Sequence, residues 1–131
     1  MARVLLLALP DASDPPVGVR VARRAREILA DRDGVEVREA PSDAADPLAG
    51  AETAILLTSL LDPDRTGGGV RRLDLGDPEA ATRVPALPDL AGRSKPRHVW
   101  IVGVLAGGAA PDEDVDVAAR LAAALAGAAT D

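Results

Sequence analysis

Apolar positions fall along the chain as three unbroken runs, two alternating runs and two helical stripes. Arg3 to Leu9 (RVLLLAL), Ala54 to Leu61 (AILLTSLL) and His98 to Val104 (HVWIVGV) show no alternation. A strand that is apolar on both sides is covered on both faces, as central strands of a parallel sheet are. Val35 to Glu39 (VEVRE) and Val70 to Leu75 (VRRLDL) alternate instead, which predicts strands with one wetter face at or near a sheet edge. Only the loop Asp62 to Gly69 (DPDRTGGG) separates Val70 from the preceding run. That is too short for a parallel crossover, which needs about a dozen residues, so the Val70 strand is expected to run antiparallel at an edge.

The first helical stripe lies in Val17 to Arg32, where Val17, Val21, Ala25, Ile28 and Leu29 recur at three- and four-residue spacing. Arg20, Arg23, Arg24 and Glu27 fall mostly on the other side. Pro15 and Pro16 sit where prolines are tolerated, just before or inside the first turn, with Asp14 as the expected N-cap and Asp33-Gly34 as the stop. The second stripe lies in Val115 to Ala126, with Val117, Leu121 and Leu125 on one face and Gly107 to Asp114 read as loop. The proline-rich stretches between hold at most a short helix at Ser42 to Ala49 and one turn at Asp89 to Gly92. The order β-α-β-(α)-β-β-β-α predicts an α/β three-layer sandwich. Its sheet is a mostly parallel one of about five strands with one antiparallel edge strand, and helices cover both faces.

Composition narrows this picture. At 131 residues the chain is expected to form a single domain, residues 1–131. Cysteine is absent, which removes disulfides and thiolate metal sites. The first apolar run is too short for a signal peptide and no run is long enough to span a membrane, so a cytoplasmic protein is expected. A net charge of −6 and a single aromatic residue, Trp100, argue against nucleic acid as a partner.

Candidate chemistry is sparse. Thr58 and Ser59 arrive near the carboxyl end of a buried strand, where sites in open α/β sheets are built, and Asp14 and Asp62 belong to the loops at that end. His98 is the only histidine and opens a strand parallel to the first, so it is expected at the opposite, amino end. Ser13, Ser42, Ser59 and Ser94 therefore lack a histidine partner for a Ser-His-Asp triad. The Gly67-Gly68-Gly69 run lacks the following Lys-Ser/Thr of a phosphate loop and opens no helix. Asp62-Pro63-Asp64 reads as a turn initiator, although an Asp14/Asp62 carboxylate pair could hold a hard cation weakly.

Four stretches together resemble the hydrogenase maturation proteases, which clip a C-terminal peptide from the large subunit of nickel–iron hydrogenases. Arg3 to Leu9 followed by Val17-Gly18-Val19-Arg20-Val21-Ala22 is similar to the family's first strand and its "DDGVGVRVA" helix start. Gly34-Val35-Glu36-Val37 is similar to its second strand. Gly67 to Leu75 (GGGVRRLDL) resembles its glycine loop and "GTVxRLDL" strand, and Pro96 to Val104 (PRHVWIVGV) its last strand. The family recognises a divalent metal, nickel of the substrate or a surrogate, through three side chains. By this resemblance the first ligand position is Pro15, which has no donor atom, with Asp14 beside it. The second, an Asp in a "DAV"-like motif, falls in Thr58-Ser59-Leu60. The third, a His in an "SPH" motif, has no counterpart between Leu75 and Pro96.

The degenerate-site candidates are therefore Asp14, Pro15, Thr58, Ser59 and Asp62, with no metal ligand set and no cofactor expected. The resemblance implies a non-catalytic homologue that binds a protein or peptide partner, a hydrogenase large subunit being the candidate. An active endopeptidase with a rewired Asp14/Asp62 site is one alternative. A small α/β protein recruited to an unrelated binding role through its edge strands is the other.

Overall fold

A computed structural model describes residues 4–9, 16–30, 33–39, 52–60, 69–74, 98–105 and 111–130. In chain order these form β1 (Val4–Ala8), α1 (Val17–Ile28), β2 (Val35–Glu39), β3 (Thr53–Leu60), β4 (Val70–Asp74), β5 (His98–Leu105) and α2 (Asp112–Thr130). The five strands form one sheet in the order β2-β1-β3-β5-β4. β1 pairs in parallel with β2 and β3, β3 pairs in parallel with β5, and β4 pairs antiparallel with β5. The two alternating runs thus occupy the two edges and the three unbroken runs the centre, as the pattern predicts. The short connection before Val70 has its expected consequence, an antiparallel edge strand.

Both faces of the sheet are dry, as a layered α/β fold requires. On one face Val4, Leu6, Ala8, Ile55, Leu57, Val102 and Val104 pack under both helices. On the other, Leu5, Leu7, Leu9, Ala54, Leu56, Leu60, Leu73 and Ile101 form a second buried cluster. Among the described residues, α1 and α2 lie side by side on the first face. The helices foreseen at Ser42 to Ala49 and Asp89 to Gly92 fall outside the described residues.

Three details of the helices differ from expectation. The N-cap of α1 is Pro16, without a side-chain cap, and its carbonyl accepts from the Val19 and Arg20 N–H groups; the foreseen cap, Asp14, is not among the described residues. The helix ends at Leu29 rather than at Gly34. Gly34 instead has φ +82° and its carbonyl accepts from Val4 N, so its conformational freedom serves the turn into β2. Along α1, Val17, Gly18, Val21, Ala22 and Ala25 are buried, whereas Ile28, at the end of the foreseen stripe, is 43% exposed.

The larger difference is in α2. It starts at Asp112, inside the foreseen loop, where Asp112, Glu113 and Asp114 place negative charge against the positive end of the helix dipole. Its buried face is Val115, Ala118, Ala119, Ala122 and Ala126, while Val117 is 49% exposed and Leu121 and Leu125 are only partly buried. Size explains this. Alanines let α2 come close to the sheet and to α1, and the bulkier leucines pack at the rim of that contact.

Ion pairs fix the two helices to each other. Arg20 donates to Asp112, and Arg24 donates from Nε to Asp116 at 2.8 Å. Asp116 also accepts from Arg120 Nε at 2.8 Å, and Arg24 also donates to Glu27 at 2.7 Å. The Arg24 and Arg120 hydrogen bonds hold the Asp116 carboxyl below its ordinary pKa, and the bonds to Asp116 and Glu27 raise that of Arg24.

Candidate functional site

The chain leaves β1 for β2 on one side and returns to β3 on the other, so the strand order reverses between β1 and β3. In open α/β sheets the crevice beyond the carboxyl ends of such a strand pair is the usual site. Its floor is closely built. Leu9 N donates to the Leu57 carbonyl at 2.8 Å, tying the end of β1 to β3. The first turn of α1 rests directly on this junction. A Cβ on Gly18 would lie 2.1 Å from Leu57 O, 2.9 Å from Leu57 C and 3.1 Å from Leu9 N. Only glycine lets the helix start so near the strand ends. The sequence signal was a glycine, a poor helix former, inside an otherwise helical stripe.

Two of the five site candidates are described. Thr58 pairs with Gly103 and Ser59 with Val104, both near the carboxyl ends of β3 and β5. Alternation along β3 sends them to opposite faces, since Ile55 and Leu57 belong to the helix-side cluster and Leu56 and Leu60 to the other. Ser59 therefore shares the helix side and is half-buried. Thr58 is fully buried on the far side, and its Oγ1 has no hydrogen-bond partner. Beside it, Gly103 leaves room for Leu60, whose side-chain carbons would lie 2.3–2.7 Å from any Cβ there. Asp14, Pro15 and Asp62 are outside the described residues.

His98 pairs with Thr53 at the start of β3. Five residues of strand, about 16 Å, separate it from the level of Thr58, and Ser59 lies one residue further. Nε2 of His98 stands 3.5 Å from Asp74 Oδ2 without forming a hydrogen bond. Its ring lies 4.0 Å from the Trp100 ring, and the Arg72 guanidinium lies over the same indole at 4.5 Å. The sole histidine and sole aromatic residue thus meet at the β4–β5 corner, far from the crevice. Their i, i+2 spacing on one strand was the signal that could have placed them together.

The described part of the crevice offers two neutral hydroxyls, one of them buried and without a hydrogen-bond partner. Among the described residues no three His, Cys, Asp or Glu side chains gather in a way that could hold a metal ion. A buried, uncharged threonine hydroxyl is a poor donor for nickel, which suits imidazole and mixed donor sites. The chemistry of the described donors therefore does not fit a divalent ion. Among the described residues, no helix is long and apolar enough to cross a membrane.

No protein-family model and no curated protein matches the chain. Two solved structures do. The [NiFe] hydrogenase maturation protease HybD from Thermococcus kodakarensis superposes with a TM-score of 0.59 at 22% identity, over 95% of this chain and 99% of that one. A hydrogenase 2 maturation peptidase from Thaumarchaeota archaeon SCGC_AB-539-E09 superposes with a TM-score of 0.52 at 19% identity, over 94% of each chain. With identities this low the likeness is one of fold, and it spans almost the whole of both chains: this protein has the fold of the hydrogenase maturation proteases.

Proposed function

We propose that the chain is a hydrogenase-maturation-protease-like protein that has lost the metal-ligand side chains. It binds a protein or peptide partner of hydrogenase assembly without cleaving it, and acts as one domain in the cytoplasm. The observation that carries this reading is Thr58. At the end of β3, where the resemblance calls for an acidic ligand, stands a neutral hydroxyl that is fully buried and unpaired. Pro15 at the first ligand position and the absence of any histidine between Leu75 and Pro96 point the same way. The near-complete overlap with two structures named as hydrogenase maturation peptidases supports the link to hydrogenase assembly. A scaffold that keeps its fold while losing its ligands retains a surface for the partner but no means of reading its metal.

Two measurements test this. Isothermal titration of the metal-free protein with nickel and with zinc should show no saturable binding. Micromolar binding that an Asp14→Ala, Asp62→Ala double variant loses would replace this reading with a rewired peptidase. Incubation with a hydrogenase large-subunit precursor should give a complex whose precursor mass is unchanged. A precursor shortened at its C-terminus would overturn the non-catalytic assignment, and no complex would overturn the partner.

A further inference from the structure

β4 is the last strand of the sheet, and among the described residues only β5 pairs with it. The Gly69 carbonyl accepts from Leu105 N at 2.8 Å, which sets the phase of the antiparallel ladder, while the Gly69 N–H donates to Asp114 Oδ2 at 3.3 Å. Hydrogen-bonded pairs alternate along the ladder, and this phase makes Arg71–Gly103 and Leu73–Ile101 two of them. Val70 and Arg72 must then turn their N–H and C=O groups away from β5, towards the edge that no described strand pairs. Of the five residues of β4, only Leu73 is buried.

Side-chain chemistry says what fits there. Arg72 shares a face with its neighbours Val102 and Trp100, and its guanidinium is already held over the Trp100 ring at 4.5 Å. Holding it there lowers the rotamer entropy lost when a carboxylate arrives. Arg71 is exposed on the opposite face. Two adjacent arginines stand out on a chain whose net charge is −6. Charges on an edge strand also deter indiscriminate pairing, and like charges do so most strongly against a second copy of this chain. Antiparallel self-pairing centred on Arg71 or Arg72 would set arginine against arginine. The register centred on Leu73 avoids this but leaves little of the strand paired.

We propose that the β4 edge, from Val70 to Arg72, binds an extended acidic peptide by β-strand addition. Its main chain pairs with Val70 and Arg72, and one of its carboxylates pairs with the Arg72 guanidinium on Trp100. Backbone bonds supply the affinity in this mode and the alternating side chains supply the selection. Val70 and Ser59 both stand opposite Val104, two strand spacings or about 10 Å apart, and the edge is read by its own probes, without a hydrogenase precursor.

Trp100 is the only tryptophan, so its fluorescence reports the site directly. The probes are eight-residue peptides of alternating valine and glutamate, and the same peptides with lysine for glutamate. The glutamate peptide is expected to give a saturable change in emission, with affinity at least about tenfold above the lysine peptide and falling as salt rises. Arg72→Glu should reverse the preference. Val70→Pro removes one outward N–H but no bond to β5, as proline on an edge strand allows; it should weaken the glutamate peptide with the far-ultraviolet circular dichroism unchanged. Equal affinity for both peptides, or full affinity in both variants, would overturn the proposal. So would sedimentation showing a dimer that Arg72→Glu dissociates, which would assign the edge to a second copy instead.

Discussion

Gly18→Ala tests how closely α1 is seated on the strand ends. The added methyl would stand 2.1 Å from the Leu57 carbonyl oxygen, whereas Cβ atoms keep at least 3.0 Å from such neighbours. The atoms it meets are backbone of β3 and of Leu9, the residue after β1, and cannot rotate aside, so the helix must retreat by about 1 Å. A gap of about 0.5–1 Å forfeits roughly a quarter to a half of the dispersion attraction across it. Val17 and Val21 are both fully buried against the sheet. At about 1.5–3 kcal/mol of burial each, their loss alone amounts to about 1–3 kcal/mol. The better helix propensity of alanine returns at most about 1 kcal/mol, and less in a first turn. A net destabilisation of about 1–2 kcal/mol is expected. With a urea m-value of about 2 kcal/mol/M the midpoint should fall by about 0.5–1 M at unchanged slope, followed by circular dichroism. A variant as stable as the parent, or more stable in the manner of an ordinary exposed helix glycine, would refute the close seating.

Thr58→Val keeps the shape of the side chain and removes a hydroxyl left unsatisfied in a dry layer, a group that costs about 1–3 kcal/mol. Thermal melts should show stabilisation of about 1 kcal/mol, and a loss of that size would mean the hydroxyl has a partner. Gly103→Ala should be destabilising by about 1–3 kcal/mol because its methyl would occupy the place of the Leu60 side chain. Combined with Leu60→Ala it should cost less than the two single changes added together, and additivity in a double-mutant cycle would contradict that contact. Because Arg24 and Arg120 lower the Asp116 pKa in the folded state, the stabilisation they confer is present above the unfolded value, near 3.8. It is lost as pH falls through the lower folded value. The melting-temperature gap between the parent and Asp116→Asn should therefore be open at pH 6 and closed near pH 2; a gap independent of pH would show that the charge on Asp116 is not its source.

The sequence by itself determined the strands, which of them lie centrally and which at or near an edge, and the direction of β4. Unbroken apolar runs can only be satisfied by cover on both faces, alternating runs suit an edge, and a connection as short as 62–69 cannot carry a parallel crossover. The same reasoning put Thr58 and Ser59 at one end of the sheet and His98 at the other, because strand direction and residue spacing fix those levels without knowledge of packing. Tertiary structure alone decided the rest. Periodicity ranks side chains by polarity and takes no account of size, so it assigned Val117, Leu121 and Leu125 to the core face of α2. Close approach of two helices and a sheet instead selected the alanines. The seating of α1 on Leu57, the orphaned Thr58 hydroxyl and the stacking of Arg72, Trp100 and His98 are contacts between segments distant along the chain. Their existence depends on how near the backbones come, a distance that is set only when the whole core packs.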